Sequence, residues 1–339
     1  MVFYLDVIYN NKVSVGGVAL NTKNKNVIIK LSILAAVVLI TFAVKPLLFK
    51  ETSTDNNYLY VYFINTGQSD CILITTPNDE NILIDSGDNG DEDIVLGFLE
   101  DKKITKLEYV IFTHPHSDHI GGGYEVVSSF DVDNVIMPDI ENDTKTYKSL
   151  VDEIDEKNIK VTYPDDGDIY NIDGITMTIL SPVNSDYGTN MNEYSIVCRL
   201  DYGESSFLFT GDAEAVNEEE MIEAGYDLDV DVLKVGHHGS SSSSTKEFLE
   251  AVTPEYAVIL CGKDNSYNHP NDDTLSKLEE VSAEIYRTDI NGTITMYSDG
   301  KTITVALEKK TAKNSEYYII WAGSILPNIY YNVISIYCK

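Results

Sequence analysis

Three histidines and an aspartate crowd the stretch Thr113-His114-Pro115-His116-Ser117-Asp118-His119-Ile120-Gly121-Gly122, directly behind the apolar run 107–112. That run is rich in β-branched and aromatic residues, which predicts a buried strand. The four polar residues then sit at its C-terminal end, in a turn that opens a helix. His114 and His116 are two apart, so in extended chain both imidazoles point the same way. Asp118 and His119 follow on a tighter curve and face a second point nearby. This donor set suits borderline metals such as zinc. Two such clusters side by side make a two-metal site, able to lower the pKa of a water between them and to hold a phosphoryl or acyl oxygen. The bland alternative is a polar loop whose histidines cap the helix. Against it, the chain has only six His, and the other three also lie in short motifs: Gly236-His237-His238-Gly239-Ser240 and Asn268-His269-Pro270.

The same device recurs along the chain. Apolar strands end, and Asp85, His114, Asp212 and His237 follow at their C-terminal ends, which places them on one rim of a sheet system. Strands are expected at 58–65, 71–75, 81–85, 107–112, 134–137, 175–180, 195–200, 206–210, 231–235, 256–261, 293–297 and 302–307. Helices are expected at 91–103, 120–130, 145–158, 213–224, 245–251 and 272–280. The five-serine run 240–244 reads as a flexible loop beside the rim. No repeat of solenoid period is present.

Charge divides the chain. Residues 51–308 hold 53 Asp and Glu against 14 Lys and Arg, a net of −39, whereas both ends are basic. A body this acidic does not bind polyanions through general electrostatics, and it attracts cations. Cys71, Cys198 and Cys261 sit inside apolar runs and read as small buried hydrophobes rather than ligands or a disulfide framework.

Residues 31–44 carry no charge and are bounded by Lys30 and Lys45, with Leu47, Leu48 and Phe49 extending the run. This is short for a spanning helix of about 20 residues, but the flanking lysines can snorkel. The segment reads as an uncleaved signal anchor, with a cleaved signal and a soluble core helix as competing readings. Lysines precede it, so the positive-inside rule puts residues 1–30 in the cytoplasm and the acidic body outside. The expected organisation is 1–50 cytoplasmic N-terminus and anchor, 51–57 linker, 58–308 the folded acidic domain, and 309–339 an apolar aromatic tail. Residues 317–337 of that tail are uncharged and rich in Tyr. Membrane contact, packing on the body and disorder all stand as readings of it.

These motifs together resemble the metallo-β-lactamase fold superfamily. The matching pieces are Leu83-Ile-Asp85-Ser-Gly87, the histidine loop, Phe209-Thr-Gly211-Asp212 and the two later histidine motifs. Closer markers are Asn65-Thr-Gly67-Gln68-Ser-Asp70, Asn192-Glu-Tyr-Ser195, Leu233-Lys-Val-Gly-His-His-Gly-Ser240 and Arg287-Thr-Asp289-Ile-Asn-Gly292. They are similar to the hydrolase domain of ComEC-type DNA-uptake proteins and their free-standing relatives. The resemblance implies an α/β fold, a four-layer αββα sandwich with metals at the edge between its sheets. It implies two divalent metal ions, zinc first and manganese as the alternative. The first would take His114 and His116, the second Asp118, His119 and His269, with Asp212 bridging both. The family often has a further histidine for the first metal, and none occurs here between Ile120 and Gly236. Asn192 and Ser195 occupy that neighbourhood, and His237 or His238 is expected to complete the first site.

The leading expectation is a membrane-anchored, extracellular metal-dependent hydrolase of phosphoesters, acting on nucleic acid or a cell-wall polymer. Phosphorylcholine esterases share the fold and offer a second reading. In this scheme Asp118 orients the attacking water, and His238, if not a ligand, protonates the leaving group. Asn192 and Ser195 either hydrogen-bond substrate oxygens or merely end a loop. Hydrolysis of a carboxylic ester, lactone or β-lactam at the same metals is a third reading, and a non-enzymatic surface protein a fourth. The membrane is the one partner expected besides substrate; no protein partner is inferred.

Overall fold

The computed structural model describes residues 57–308, together with two two-residue strands, Ser14–Val15 and Val18–Ala19, that pair antiparallel. The expected anchor at 31–49 and the tail at 309–339 lie outside the described residues. No helix among the described residues is long and apolar enough to cross a membrane.

Two mixed sheets form the body. The first has eight strands: β1 (Leu59–Phe63), β2 (Ile72–Thr75), β3 (Asn81–Ile84), β4 (Lys106–Ile111), β5 (Asp131–Ile136), β6 (Lys160–Thr162) and, from the far end of the chain, β14 (Ile294–Ser298) and β15 (Ile303–Leu307). Their order is β15-β14-β1-β2-β3-β4-β5-β6. The second sheet has seven: β7 (Ile169–Ile172), β8 (Ile175–Ser181), β9 (Val197–Tyr202), β10 (Ser205–Phe209), β11 (Val232–Lys234), β12 (Tyr256–Ile259) and β13 (Glu284–Arg287), in the reverse of that order. The pairs from β3 to β6 run parallel, as do those from β10 to β13, while the remaining pairs are antiparallel.

Side-chain alternation builds the layers. Along β1, Leu59, Val61 and Phe63 point into a core shared by both sheets, where they meet Ile179, Leu200 and Phe209. Tyr62 and Ile64 point the other way, onto α1 (Glu92–Asp101), α3 (Gly123–Ser129) and α4 (Lys145–Glu156), through Leu99, Val126 and Leu150. A third core joins the outer face of the second sheet to α5 (Ala215–Glu223), α6 (Lys246–Val252) and α7 (Asp272–Glu280), through Met221, Leu249 and Leu278. Helix, sheet, sheet, helix is the expected αββα sandwich. Each fully buried Leu, Ile or Phe contributes about 1.5–3 kcal/mol of transfer free energy. Cys71, Cys198 and Cys261 are free thiols buried among these apolar side chains.

Two local differences from the sequence reading matter. The helix expected over 120–130 is broken into α2 (Ser117–Ile120) and α3, because the glycine pair between them is crossed by another loop. A Cβ on Gly121 would lie 2.1 Å from the backbone carbon of Asp88. The three strands of the two large sheets that were not anticipated, β6, β7 and β13, are all sheet edges. They are short, and they carry Lys160, Asn171, Glu284 and Arg287. Such residues blunt a sheet edge and erase the apolar pattern that marks a central strand.

Candidate metal centre

The parallel strands β3 and β4 of one sheet, and β10 and β11 of the other, end on the same rim, and the polar residues follow them. Asp85 comes one residue after β3 and His114 three after β4; Asp212 and His237 come three residues after β10 and β11. Gly211 at φ 51° makes the turn that brings Asp212 inward, and a Cβ there would sit 2.8 Å from that of Thr113.

Asp212 lies at the centre, with its side chain 2% exposed. Its Oδ1 is 3.3 Å from His119 Nε2. Its Oδ2 is 3.6 Å from His237 Nε2, 3.7 Å from His238 Nε2 and 4.0 Å from His114 Nε2. His238 Nε2 is also 3.4 Å from Asp118 Oδ2. Asp118, His119, Asp212 and His238 thus converge so that one ligand atom of each lies within 4.8 Å of the others. His114 and His116 form the second half of the centre, their facing nitrogens 2.9 Å apart.

Hydrogen bonds behind these groups aim them. Asp85 accepts from the Thr113 backbone N–H (2.8 Å), the Thr113 hydroxyl (2.8 Å) and His119 Nδ1 (2.7 Å). His119 therefore keeps a proton on Nδ1 and aims Nε2 at Asp212, so that a metal there would displace the Nε2 proton and leave the Nδ1 proton in place. His238 Nδ1 lies 3.0 Å from the Leu260 carbonyl, which fixes the same tautomer and frees its Nε2. His237 is held through Nδ1 by Ser242 (3.1 Å) and Glu214 (3.3 Å). Both members of the double histidine sit at positive φ, 50° and 53°. Strain of this kind, at about 1–3 kcal/mol per residue, persists where surrounding structure enforces it. Here it fans two adjacent imidazoles onto Asp212.

The donor set fits a metal. His119 Nε2, His238 Nε2 and Asp212 Oδ1 are buried without a hydrogen-bond partner. Leaving such atoms unpaired costs about 1–3 kcal/mol each, and a divalent cation would satisfy all three. Burial, with neighbouring imidazoles, holds His114 and His116 below the usual histidine range. Burial would lower His119 and His238 too, but the carboxylates of Asp212, Asp85 and Asp70 override it, raising His119 well above that range and His238 to about 10. One half of the centre is therefore deprotonated in advance, while the other holds protons that a metal displaces.

His238 joins Asp118, His119 and Asp212 in this cluster. His269 has its ring 5.5 Å from that of His237 and a buried Nδ1 without a hydrogen-bond partner, in the wall of an open cavity of about 360 Å³ that Asp118, Asp212, His237 and His238 also line. Ser195, expected at substrate, is fully buried and does not line that cavity. Its Oγ accepts the Asp212 backbone N–H (3.1 Å) and sits 3.4 Å from His114 Nδ1, so it positions ligands. Asn192 does line the cavity; its Nδ2 donates to Glu214 and its Oδ1 is unpartnered.

Two buried residues had no role assigned from sequence. Lys234, fully buried in β11, pairs with Asp70, donates to the Gly211 carbonyl (2.8 Å) and lies 4.0 Å from Asp212 Oδ1. Asp70 is in turn 3.3 Å from His238 Nδ1. Its carboxyl is held below the usual range: burial opposes this, but Lys234 and His238 prevail. A lysine inside the apolar strand that leads to the double histidine was the available signal.

This arrangement, on an αββα sandwich, is that of a metal-dependent hydrolase. Residues 64–263 match the Metallo-beta-lactamase superfamily, and the chain belongs to that family. The chain is 30% identical to ComE operon protein 3 of Bacillus subtilis over 69% of its own length and 32% of the relative's. It is 30% identical to Recombination protein 2 of Haemophilus influenzae, over 76% of this chain and 31% of that one. Competence protein ComA of Neisseria gonorrhoeae matches at 26% identity, over 73% and 33%. The chain thus spans about a third of the length of these curated relatives.

Proposed function

We propose that the chain hydrolyses phosphoester bonds at this centre, as a phosphodiesterase or nuclease-like enzyme carried outside the cell by its N-terminal segment. The observation that carries the reading is the shared carboxylate of Asp212. One oxygen faces His119 and the other faces His114, His237 and His238, beneath an open cavity. His114 and His116 would hold one divalent ion, and Asp118, His119 and His238 the other, with Asp212 common to both. Zinc is the first candidate and manganese the second. Such ions neutralise the charge that develops on phosphoryl oxygens during displacement.

The chain's own residues supply the rest. Asp118 reaches the cavity, its side chain 32% exposed. Burial would raise its carboxyl, but the His238 imidazole 3.4 Å away and the His119 charge pull it well below the usual range. It is therefore an ionised acceptor that orients a water for attack. His238 is committed to the ligand group. The proton donor to the leaving group is then His237, 22% exposed at the cavity, with Glu214 and Ser242 holding its far nitrogen. Relatives named for recombination and competence support a nucleic-acid phosphodiester ahead of a cell-wall polymer.

Metal-loaded protein is expected to turn over bis-p-nitrophenyl phosphate and to leave nitrocefin intact. Turnover of nitrocefin alone would move the assignment to acyl chemistry. Protease added to intact cells should remove the acidic body; its protection would reverse the topology.

A further inference from the structure

Tyr267 is 67% exposed, the most exposed large hydrophobic side chain among the described residues, and it sits in the wall of the cavity over the metal centre. A solvated tyrosine on a mobile loop would mean little. This one is held in place. The loop's base is tied where Gly262 N–H donates to the Gln68 side chain (2.9 Å). Asn265 then stitches its interior. Its Oδ1 accepts the backbone N–H of Tyr267 (3.1 Å) and of His269 (3.0 Å), and its Nδ2 donates to the Gly262 carbonyl (2.9 Å). The far end is pinned by Asn271 N–H to the Gly239 carbonyl (2.8 Å). The Tyr267 ring lies on His269, with centroids 5.7 Å apart and planes at 27°. His269 in turn meets His237, whose Nε2 is 3.6 Å from Asp212. A short ladder of rings therefore climbs from the reacting centre to an open aromatic face.

The remaining walls say what that face can take. Among the described residues no Lys or Arg lines the cavity, and the body around it is strongly acidic. None of these described wall residues grips a run of phosphates, so the walls themselves do not supply the electrostatic term that dominates most nucleic-acid binding. Stacking on an aromatic ring needs no cation; it contributes about 1–3 kcal/mol per base and tolerates any base. The cavity's volume falls in the range of small-molecule sites, about 300–1,000 Å³.

Resting on the phosphodiesterase reading above, we propose that Tyr267 is the stacking platform for the nucleobase next to the scissile phosphate. The enzyme then recognises a phosphodiester by one phosphate and one base, and takes short or single-stranded ends rather than a length of polyanion.

The test compares two substrates with one leaving group, thymidine 5′-(p-nitrophenyl phosphate) and methyl p-nitrophenyl phosphate, on the full metal-loaded chain. Tyr267→Ala is expected to lower the thymidine-to-methyl ratio of kcat/KM by about 5–100-fold, and Tyr267→Trp to restore it. An unchanged ratio overturns the proposal. A loss seen with p-nitrophenylphosphorylcholine, and not with thymidine, overturns it in favour of a quaternary ammonium on the same ring. Saturation-transfer NMR with thymidine separates this inference from the function it rests on. Base-proton signals in the wild type that vanish in Tyr267→Ala support stacking even if no phosphodiester is cleaved. Equal signals in both proteins refute it even if phosphodiesters are cleaved. Length gives a further readout: kcat/KM per strand end should be the same for a trinucleotide and a 20-mer, about 20 nucleotides being enough to expose any extended phosphate grip. A tenfold gain with length would contradict the single-base mode.

Discussion

Replacing Asp85 by Asn alters one atom in the second layer of the metal centre, and the structure dictates its consequence. Asp85 is fully buried and accepts three hydrogen bonds, from Thr113 N–H, the Thr113 hydroxyl and His119 Nδ1–H. An asparagine offers one acceptor oxygen and one NH₂ group. If its oxygen faces the Thr113 backbone N–H, its NH₂ faces His119 Nδ1. That nitrogen must then accept, which moves the ring proton to Nε2 and blocks the lone pair aimed at the metal. If the amide is flipped, two N–H donors confront each other at Thr113. Either outcome weakens metal binding. Loss of an orienting partner of this kind typically costs about 10–100-fold in affinity, or about 1.4–2.7 kcal/mol. Competition against a calibrated chelator measures the dissociation constant directly, with circular dichroism as the folding control. A folded Asp85→Asn protein with wild-type metal affinity would refute the tautomer argument.

Three further outcomes follow from the same geometry. Metal affinity at the His119 and His238 half should rise with pH. The metal needs neutral imidazoles, His238 holds its proton up to about 10 and His119 is raised as well; each displaced proton adds about tenfold per pH unit. Chelator competition at pH 6, 7 and 8 reads this slope, and a flat profile would count against the assignment. His238→Ala should lose a metal equivalent by elemental analysis, while His237→Ala should keep its metal and lose rate. The reverse pattern would exchange the two roles.

Much of the site could be read from the sequence because it is local. His114, His116, Asp118 and His119 lie within six residues, and chain geometry alone turns them toward one region. Asp85, Asp212 and His237 were visible as the polar ends of apolar strands, a pattern that survives because central parallel strands are apolar on both faces. What stayed hidden depends on tertiary contact. Adjacent His237 and His238 are indistinguishable until left-handed backbone fans them apart. Ser195 reads as a substrate contact or the end of a loop, yet it is fully buried and accepts the Asp212 backbone N–H. Lys234 stands inside an apolar strand, but lysines are rarely buried without a partner, and that partner, Asp70, is more than 150 residues away in the chain. The edge strands were missed for the opposite reason, since their polar residues are what an edge requires.

The central claim is that one carboxylate, Asp212, serves both halves of a catalytic metal centre. Purified wild-type and Asp212→Ala proteins should be compared for bound divalent metal by elemental analysis and for turnover of bis-p-nitrophenyl phosphate. The wild type should carry up to two ions per chain, lose turnover on chelation and regain it on metal addition. Asp212→Ala should lose metal from both positions and its turnover with it. A folded Asp212→Ala protein with full metal content and normal turnover would contradict the account.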